Sequence, residues 1–244
     1  MVALGVSVTS GDEKKEEKPA PPRILVAVPF TLKLGVTQTN KLRGLNLTNV
    51  TELRMATNSP ITATIQKQSA TKPPPNTEAA KVGDTELEIA FTVPKNVSSP
   101  RIEIAAVSTN GTSEPFAMIL VAPERVTEEV EPNNSFRAPQ SITLPAMIQG
   151  TIREAHDVDV FRFEGKKGKV IHCKTTASSM HSPLDSLLTL YDSKGHILKS
   201  GDDSDDSRDS DLKATLPENA SYFLSITDAQ DHGSVLHCYI CVIE

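Results

Sequence analysis

The chain has 244 residues, enough for one large domain or two small ones. Its 38% hydrophobic and 23% charged residues exclude global disorder, and its 17 prolines against 12 glycines disfavour long helices. With a net charge of −6, the chain as a whole lacks the positive charge that nucleic-acid binding requires. No apolar run reaches the about 18 residues that span a membrane.

Residues 1–22 are predicted to be a flexible leader. Positions 11–22 are rich in charge and proline, with nothing to bury. The first eight residues are weakly apolar but lack the positively charged start of a secretory signal, so they do not decide localisation.

Residues 23–122 are predicted to form an immunoglobulin-like β-sandwich. Apolar and polar residues alternate in several short runs, which indicates strands with one buried face. Asn110-Gly111 is a hairpin signal, and the prolines of residues 72–76 require a loop. The predicted strands are Ile24–Val28, Lys41–Leu47, Thr51–Ala56, Ile61–Gln66, Glu86–Val93, Arg101–Val107 and Phe116–Val121.

Residues 123–139 are predicted to be an acidic linker rich in Pro and Asn, and residues 140–244 a second, jelly-roll-like sandwich. The expected fold class is therefore all-β, two tandem β-sandwich domains with almost no helix. The predicted strands of the second sandwich are Ala146–Ile152, Asp159–Phe163, Lys169–Thr175, Leu187–Tyr191, His196–Lys199, Leu212–Leu216, Tyr222–Thr227 and Val235–Ile243.

Four motifs follow one another in the second half. They are Glu129-Val-Glu-Pro-Asn-Asn134, Asp157-Val-Asp-Val-Phe-Arg-Phe163, Leu184-Asp-Ser-Leu-Leu-Thr-Leu-Tyr-Asp192 with Gly195 and then Asp202-Asp203, and Leu216-Pro-Glu-Asn-Ala-Ser-Tyr222. With these motifs in this order, residues 127–244 resemble the bacterial pre-peptidase C-terminal domain. Residues 23–122 more loosely resemble the IPT/TIG-type immunoglobulin-like fold, through Pro29 and the segment Gly35–Leu47.

The resemblance implies a non-catalytic accessory module of a secreted, periplasmic or cell-surface bacterial protein. Such a module works beside other domains of a larger polypeptide as a spacer, docking or substrate-targeting unit. Some members of the family bind calcium, and similar domains of bacterial collagenases bind the fibrous substrate.

The resemblance also implies a calcium site, with ligands from the opening acidic-Asn segment and the Asp strand. Carried over, the candidates are Glu129, Glu131, Asn133, Asn134, Asp157 and Asp159. Carboxylates and amides are the hard oxygen donors that calcium prefers. An ion here is expected to fix the junction between the two domains. The alternative is a plain Asx-rich turn with solvated acids, since such a turn needs no ion.

The acidic segment 201–211 is predicted to be a solvated loop, and whether it binds an ion stays open. His172-Cys173 and the run from His237 to Cys241 suggest zinc only superficially, because alternation places Cys238 and Cys241 on opposite faces of one strand. These thiols are expected to be buried, with at most one disulfide among the three cysteines and none between Cys238 and Cys241.

No catalytic signature accompanies the Ser, His and Asp residues, so the sequence predicts no enzymatic activity. The rival function is a polysaccharide- or protein-polymer-binding module with its own ligand. Against this stand the absence of tryptophan and the placement of Tyr191, Tyr222 and Tyr239 in predicted strands, where packing is the simpler role.

Overall fold

The chain folds as two β-sandwiches in tandem, as a computed structural model shows for residues 19–55, 59–75, 77–204 and 207–244. The predicted all-β fold class is confirmed. Within these ranges the helical turns are few and short: α1 at Ala79–Val82 and three 3-10 turns at Leu47–Asn49, Pro123–Arg125 and Ser178–Met180. None of the described helices is long and apolar enough to cross a membrane.

The described part of the first half contains nine strands in two sheets. They are β1 Arg23–Val28, β2 Thr31–Lys33, β3 Thr37–Leu45, β4 Val50–Met55, β5 Thr62–Ala70, β6 Thr85–Thr92, β7 Arg101–Ser108, β8 Gly111–Thr112 and β9 Phe116–Val121. One sheet has the order β1-β3-β6-β5 and the other β2-β9-β7-β4, with β8 paired to β7 as the hairpin that Asn110-Gly111 predicts. Their facing apolar side chains form the first core.

The second half contains eleven strands among its described residues. They are β10 Val126–Glu128, β11 Gln140–Ser141, β12 Ala146–Thr151, β13 Asp159–Gly165, β14 Val170–Thr176, β15 Ser186–Tyr191, β16 Ile197–Gly201, β17 Asp203–Ser204, β18 Ser207–Thr215, β19 Ala220–Asp228 and β20 Cys238–Ile243. One sheet has the order β10-β12-β20-β14-β18-β17, and the other β11-β13-β19-β15-β16. The second core lies between them.

Each of the fifteen predicted strands has a counterpart in this fold, although Ala56 lies outside the described residues, as do positions 1–18 of the predicted leader. The strands that were not predicted are two or three residues long. One of them, β10, lies inside the predicted linker 123–139 and pairs in parallel with β12, so this segment joins the second sandwich.

The prediction of a solvated loop over residues 201–211 is wrong. The chain forms β17 and the start of β18 there, and Asp209 and Ser210 are buried. The carboxylate of Asp209 accepts the backbone N–H groups of Ala177, Ser178 and Ser179 at the 3-10 turn. Ser210 enters a hydroxyl network beneath the sheet, so the inward residues of this polar run are matched by hydrogen bonds rather than by apolar contacts.

The two sandwiches share apolar contacts through β20, which is buried on both faces. Tyr239, Cys241 and Ile243 belong to the second core, whereas Cys238 and Ile240 belong to the buried cluster of the first half. A strand covered on both sides reads as a continuous apolar run, and Cys238–Ile243 has that character.

The three cysteines are buried, as expected, and all three are free thiols, which answers the question that the sequence left open. Cys238 packs in the first core, and Cys173 and Cys241 pack in the second. Burial raises the pKa of Cys173 and Cys238 to about 12, so both thiols stay protonated near neutral pH. The opposite-face placement of Cys238 and Cys241 agrees with the strand alternation read from the sequence.

Candidate metal centre

The predicted site forms where the chain segment after β10 returns along the start of β13. Parallel pairing of β10 with β12 continues to Glu129, whose N–H bonds the carbonyl of Gln149. The carbonyl of Asn133 then accepts the N–H of Val160 at 2.9 Å. These backbone bonds bring the acidic-Asn segment beside Asp159, the first residue of β13.

Three carboxylates meet at this point. One oxygen each from Glu129, Glu131 and Asp159 lies within 4.8 Å of the others. Asp159 is fully buried, the Glu129 side chain is 2% exposed, and the Glu131 side chain is 27% exposed. Burying acidic groups this close together is costly unless a cation or a proton compensates their charge.

Several polar atoms of the cluster are buried without a hydrogen-bond partner. They are Oε1 of Glu129, Oδ1 of Asp159, and Oδ1 and Nδ2 of Asn133. Native proteins leave few such groups unpaired, and a bound ion or an ordered water commonly satisfies those without a protein partner. Three of the four atoms are oxygens, which suits a hard cation.

The second oxygen of Asp159 is held by Tyr239. The Tyr239 hydroxyl donates to Oδ2 of Asp159 at 2.5 Å, which leaves Oδ1 free of protein donors. Burial and, next in size, the nearby charge of Glu129 together raise the pKa of Asp159 to about 9. Burial also raises the pKa of Glu129. In the absence of a cation, the site therefore retains a proton at neutral pH.

Glu129 is oriented by the backbone and by Gly150. Its Oε2 accepts the N–H of Thr151 at 2.7 Å and lies 4.0 Å from the guanidinium of Arg153. A Cβ on Gly150 would come within 2.4 Å of the Tyr239 ring and 2.9 Å of Oε2. Glycine at this strand position thus lets the ring and the carboxylate approach the backbone closely.

Asn134 and Asp157, two further candidates, are engaged by protein groups. The Asn134 amide donates to Oδ1 of Asp157 at 2.8 Å, and Asp157 accepts the Arg153 N–H through Oδ2 at 2.7 Å. Both side chains brace the loop that precedes β13. The structure thus clusters the carboxylates of three of the six candidates, buries the amide of Asn133 without a hydrogen-bond partner, and gives the other two a supporting position.

Sequence reasoning missed Tyr239, Gly150 and Arg153. An isolated glycine inside a strand pattern signals close backbone approach, and a buried tyrosine needs a partner for its hydroxyl, so two of the three carried a usable signal. Their partners, however, depend on the pairing of β12 with β20, which places Gly150 opposite Tyr239.

A second acidic group contains Asp185, Asp202 and Asp203. Asp202 and Asp203 are exposed, and Asp185 accepts a hydrogen bond from Gln230 and lies 3.9 Å from Arg208. Charges in this position can be solvated and paired without an ion. Asp205 and Asp206 lie outside the described residues.

Comparison with known proteins gives similar folds but no family. No family model and no curated protein matches the chain. The similar solved structures include a pre-peptidase C-terminal domain of a collagenase from Bacillus anthracis, with 13% identity over 43% of this chain and 94% of that chain and a TM-score of 0.36. A glucan-utilisation protein of Bacteroides ovatus, in complex with a mixed-linkage heptasaccharide, has 9% identity over 86% and 74% and a TM-score of 0.29. A periplasmic lysozyme inhibitor of Aeromonas hydrophila has 14% identity over 44% and 100% and a TM-score of 0.30. These likenesses assign neither family nor function.

Proposed function

We propose that this chain is a non-catalytic accessory module of an exported bacterial protein, with a calcium ion bound in its second sandwich. The module serves as a spacer, docking or substrate-targeting unit for other domains of a larger polypeptide. The resemblance of residues 127–244 to the pre-peptidase C-terminal domain supports the accessory role. The resemblance of residues 23–122 to the IPT/TIG-type fold remains a prediction.

The observation that carries the calcium proposal is the buried carboxylate cluster with its unpartnered oxygens. Glu129, Glu131 and Asp159 would hold the ion, together with the amide oxygen of Asn133. Calcium takes six to eight oxygen ligands, so water would complete the shell. The ion would replace the proton that burial now favours on Asp159. Beside the cluster, Glu128 pairs with Lys33 of the first sandwich at 2.6 Å, so an ion here would also stiffen the junction.

Calorimetric titration tests the site directly. We expect calcium to bind once per chain with a Kd of about 10⁻⁴–10⁻³ M, as in extracellular modules. Asp159→Asn keeps an acceptor for Tyr239 while removing the charge, and it should abolish the binding heat. The matched control is Asp202→Ser with Asp203→Ser, which removes exposed acids elsewhere. Calcium binding that survives in Asp159→Asn and disappears in the control would place the ion in the other acidic group.

Polymer binding is the second candidate function. It is favoured by three neighbouring rings, Phe136, Tyr191 and Phe223, on the solvent face of the sheet β11-β13-β19-β15-β16. We call these three rings the aromatic row. The register across β13, β19, β15 and β16 aligns Arg162, Phe223, Tyr191 and Ile197 on the solvent face. Phe136 contacts both rings edge-on, with centroids 4.8 Å from Tyr191 and 5.1 Å from Phe223. Of the three tyrosines, Tyr191 is the one with a surface position.

Electrophoresis through gels that contain a neutral β-glucan tests this candidate. If the aromatic row binds the polysaccharide, Phe136→Ala with Tyr191→Ala should weaken binding about 10-fold, which corresponds to a loss of about 1.4 kcal/mol of ring contact. Val170→Ser changes an exposed apolar residue on the opposite sheet and is the control. Equal retardation of wild type and of the double variant would remove the aromatic row from consideration.

A further inference from the structure

A cleft of about 980 Å³ lies between the two sandwiches, and its lining residue Arg153 also pairs with Glu129 and Glu131 of the carboxylate cluster. One wall comes from β1 and β3 of the first half and from residues 72–75 and 77–82. The other comes from loops of the second half, at 153–155, 178–183 and 230–237. Val26, Val82 and Leu236 form a small buried cluster that joins the halves at this place. Clefts of this size between domains are common binding sites.

The cleft is cationic although the chain is acidic. Two glutamates, Glu78 and Glu154, stand among its lining residues. The lining also contains five arginines and lysines: Arg43, Lys72, Lys81, Arg153 and Arg208. Ion pairs offset part of this charge, because Lys81 lies 3.7 Å from Glu78, Arg153 lies 3.6 Å from Glu131 and Arg208 lies 3.9 Å from Asp185. Arg43 and Lys72 have no ion pair among the described residues, so the remaining positive charge of the lining favours anionic ligands over cationic ones.

Arg43 is the buried element of this surface. It is 4% exposed, and one terminal nitrogen donates to the carbonyls of Lys72 and Gly83, both at 3.0 Å. Its Nε is buried without a partner. Burial lowers the pKa of Arg43, against the opposing charges of Glu86 and Asp84.

No carboxylate in the described ranges lies within ion-pairing distance of Arg43. Glu86, whose charge acts on Arg43 from further away, pairs with Lys41 at 3.0 Å. Leaving a guanidinium buried without an ion pair is costly, and an incoming carboxylate that satisfies it would recover part of that cost. Arg43 therefore supplies a buried donor for an anionic group, and Lys72 and Lys81 supply exposed charge at the mouth of the cleft.

The apolar part of the lining indicates what carries the anionic groups. It consists of aliphatic and proline side chains, among them Leu25, Pro74, Pro75 and Val235. Phe, Tyr and Trp rings, on which sugars stack, are not among its lining residues. A peptide with alternating acidic and aliphatic side chains matches this combination of charge and apolar surface better than a sugar chain does.

We propose that the cleft between the sandwiches binds an acidic peptide segment of a partner protein, with a carboxylate on Arg43 and further carboxylates on Lys72 and Lys81. This surface uses none of the proposed calcium ligands and none of the rings of the aromatic row, although Arg153 borders both the cleft and the calcium site. It gives the module a protein-docking function of its own.

Fluorescence anisotropy with a labelled peptide that alternates Glu with Pro and Val tests the proposal on the full chain. We expect saturable binding that weakens as salt rises from about 0.05 M to about 0.3 M. The same peptide with Gln in place of Glu should not bind. Lys72→Glu with Lys81→Glu reverses two exposed charges and should weaken binding about 10-fold or more.

Lys169→Glu with Lys199→Glu is the matched control, because it reverses two exposed charges outside the cleft and makes the same change in net charge. Binding to the control should stay within about twofold of wild type. Arg43→Met tests the buried donor, and its melting curve reports whether it folds. Equal weakening by both double variants would reduce the effect to net charge and overturn the proposal. Binding of oligogalacturonate in place of the acidic peptide would also overturn it, in favour of an anionic sugar.

Discussion

We expect excess calcium to raise the melting temperature of this protein by about 5–10 °C. Calcium at 100 times its Kd stabilises a native state that alone binds it by about 2.7 kcal/mol. For a chain of this size, each kcal/mol corresponds to about 2–4 °C. The measurement compares thermal unfolding in excess calcium and in chelator, followed by circular dichroism.

Variants of the carboxylate cluster should lose the rise in melting temperature that calcium causes, without losing stability in chelator. Asp159→Asn should lose the calcium shift, yet in chelator it should be at least as stable as wild type, because the neutral amide avoids the cost of burying an acid that must take up a proton on folding. Glu131→Ala should lose most of the shift while changing little in chelator. A purely structural acidic network predicts the reverse for Asp159→Asn, namely loss of stability with or without calcium.

Period-two alternation was sufficient to place the long strands. Leu87-Glu-Ile-Ala-Phe-Thr-Val is the clearest case, since Leu87, Ile89 and Phe91 face the first core in β6. The strands of two or three residues carry too few positions for a period, and β10 became visible only through its pairing with β12. The prediction for the segment of β18 around Asp209 failed because its inward side chains are polar and are satisfied by hydrogen bonds. Such a polar run has the same sequence pattern as a solvated loop.

The candidate site was predictable in residue type and incomplete in geometry. Alternating acids and amides near Glu129 indicated oxygen ligands, and the structure clusters three carboxylates there. Nothing local distinguishes Asn133, buried with an unpartnered amide, from Asn134, whose amide bonds Asp157. That difference arises from the register between this segment and β13, a long-range property that sequence spacing does not encode.

In chelator, the stabilising contribution of Asp159 should fall as pH rises. The folded pKa of Asp159 is about 9, well above the unfolded value near 3.9. An acid with a raised folded pKa contributes stability that is fully present below its unfolded pKa and is lost as pH rises to the folded pKa. Between pH 5 and pH 8, the loss is at most about 4 kcal/mol, at about 1.4 kcal/mol per pH unit.

The difference in unfolding free energy between wild type and Asp159→Asn isolates this effect. His237 changes stability in the opposite direction, because burial lowers its pKa to about 4 and its contribution is lost as pH falls from about 6.5. The contribution of His237 is the same in wild type and in Asp159→Asn, so it cancels in the difference between their unfolding free energies. Chemical denaturation in chelator from pH 5 to pH 8 should therefore show wild type losing stability relative to Asp159→Asn. Saturating calcium should abolish this slope, because a bound ion displaces the proton from Asp159. A pH-independent difference in chelator would mean that Asp159 is already ionised without metal, and that burial and the charge of Glu129 do not control this carboxyl.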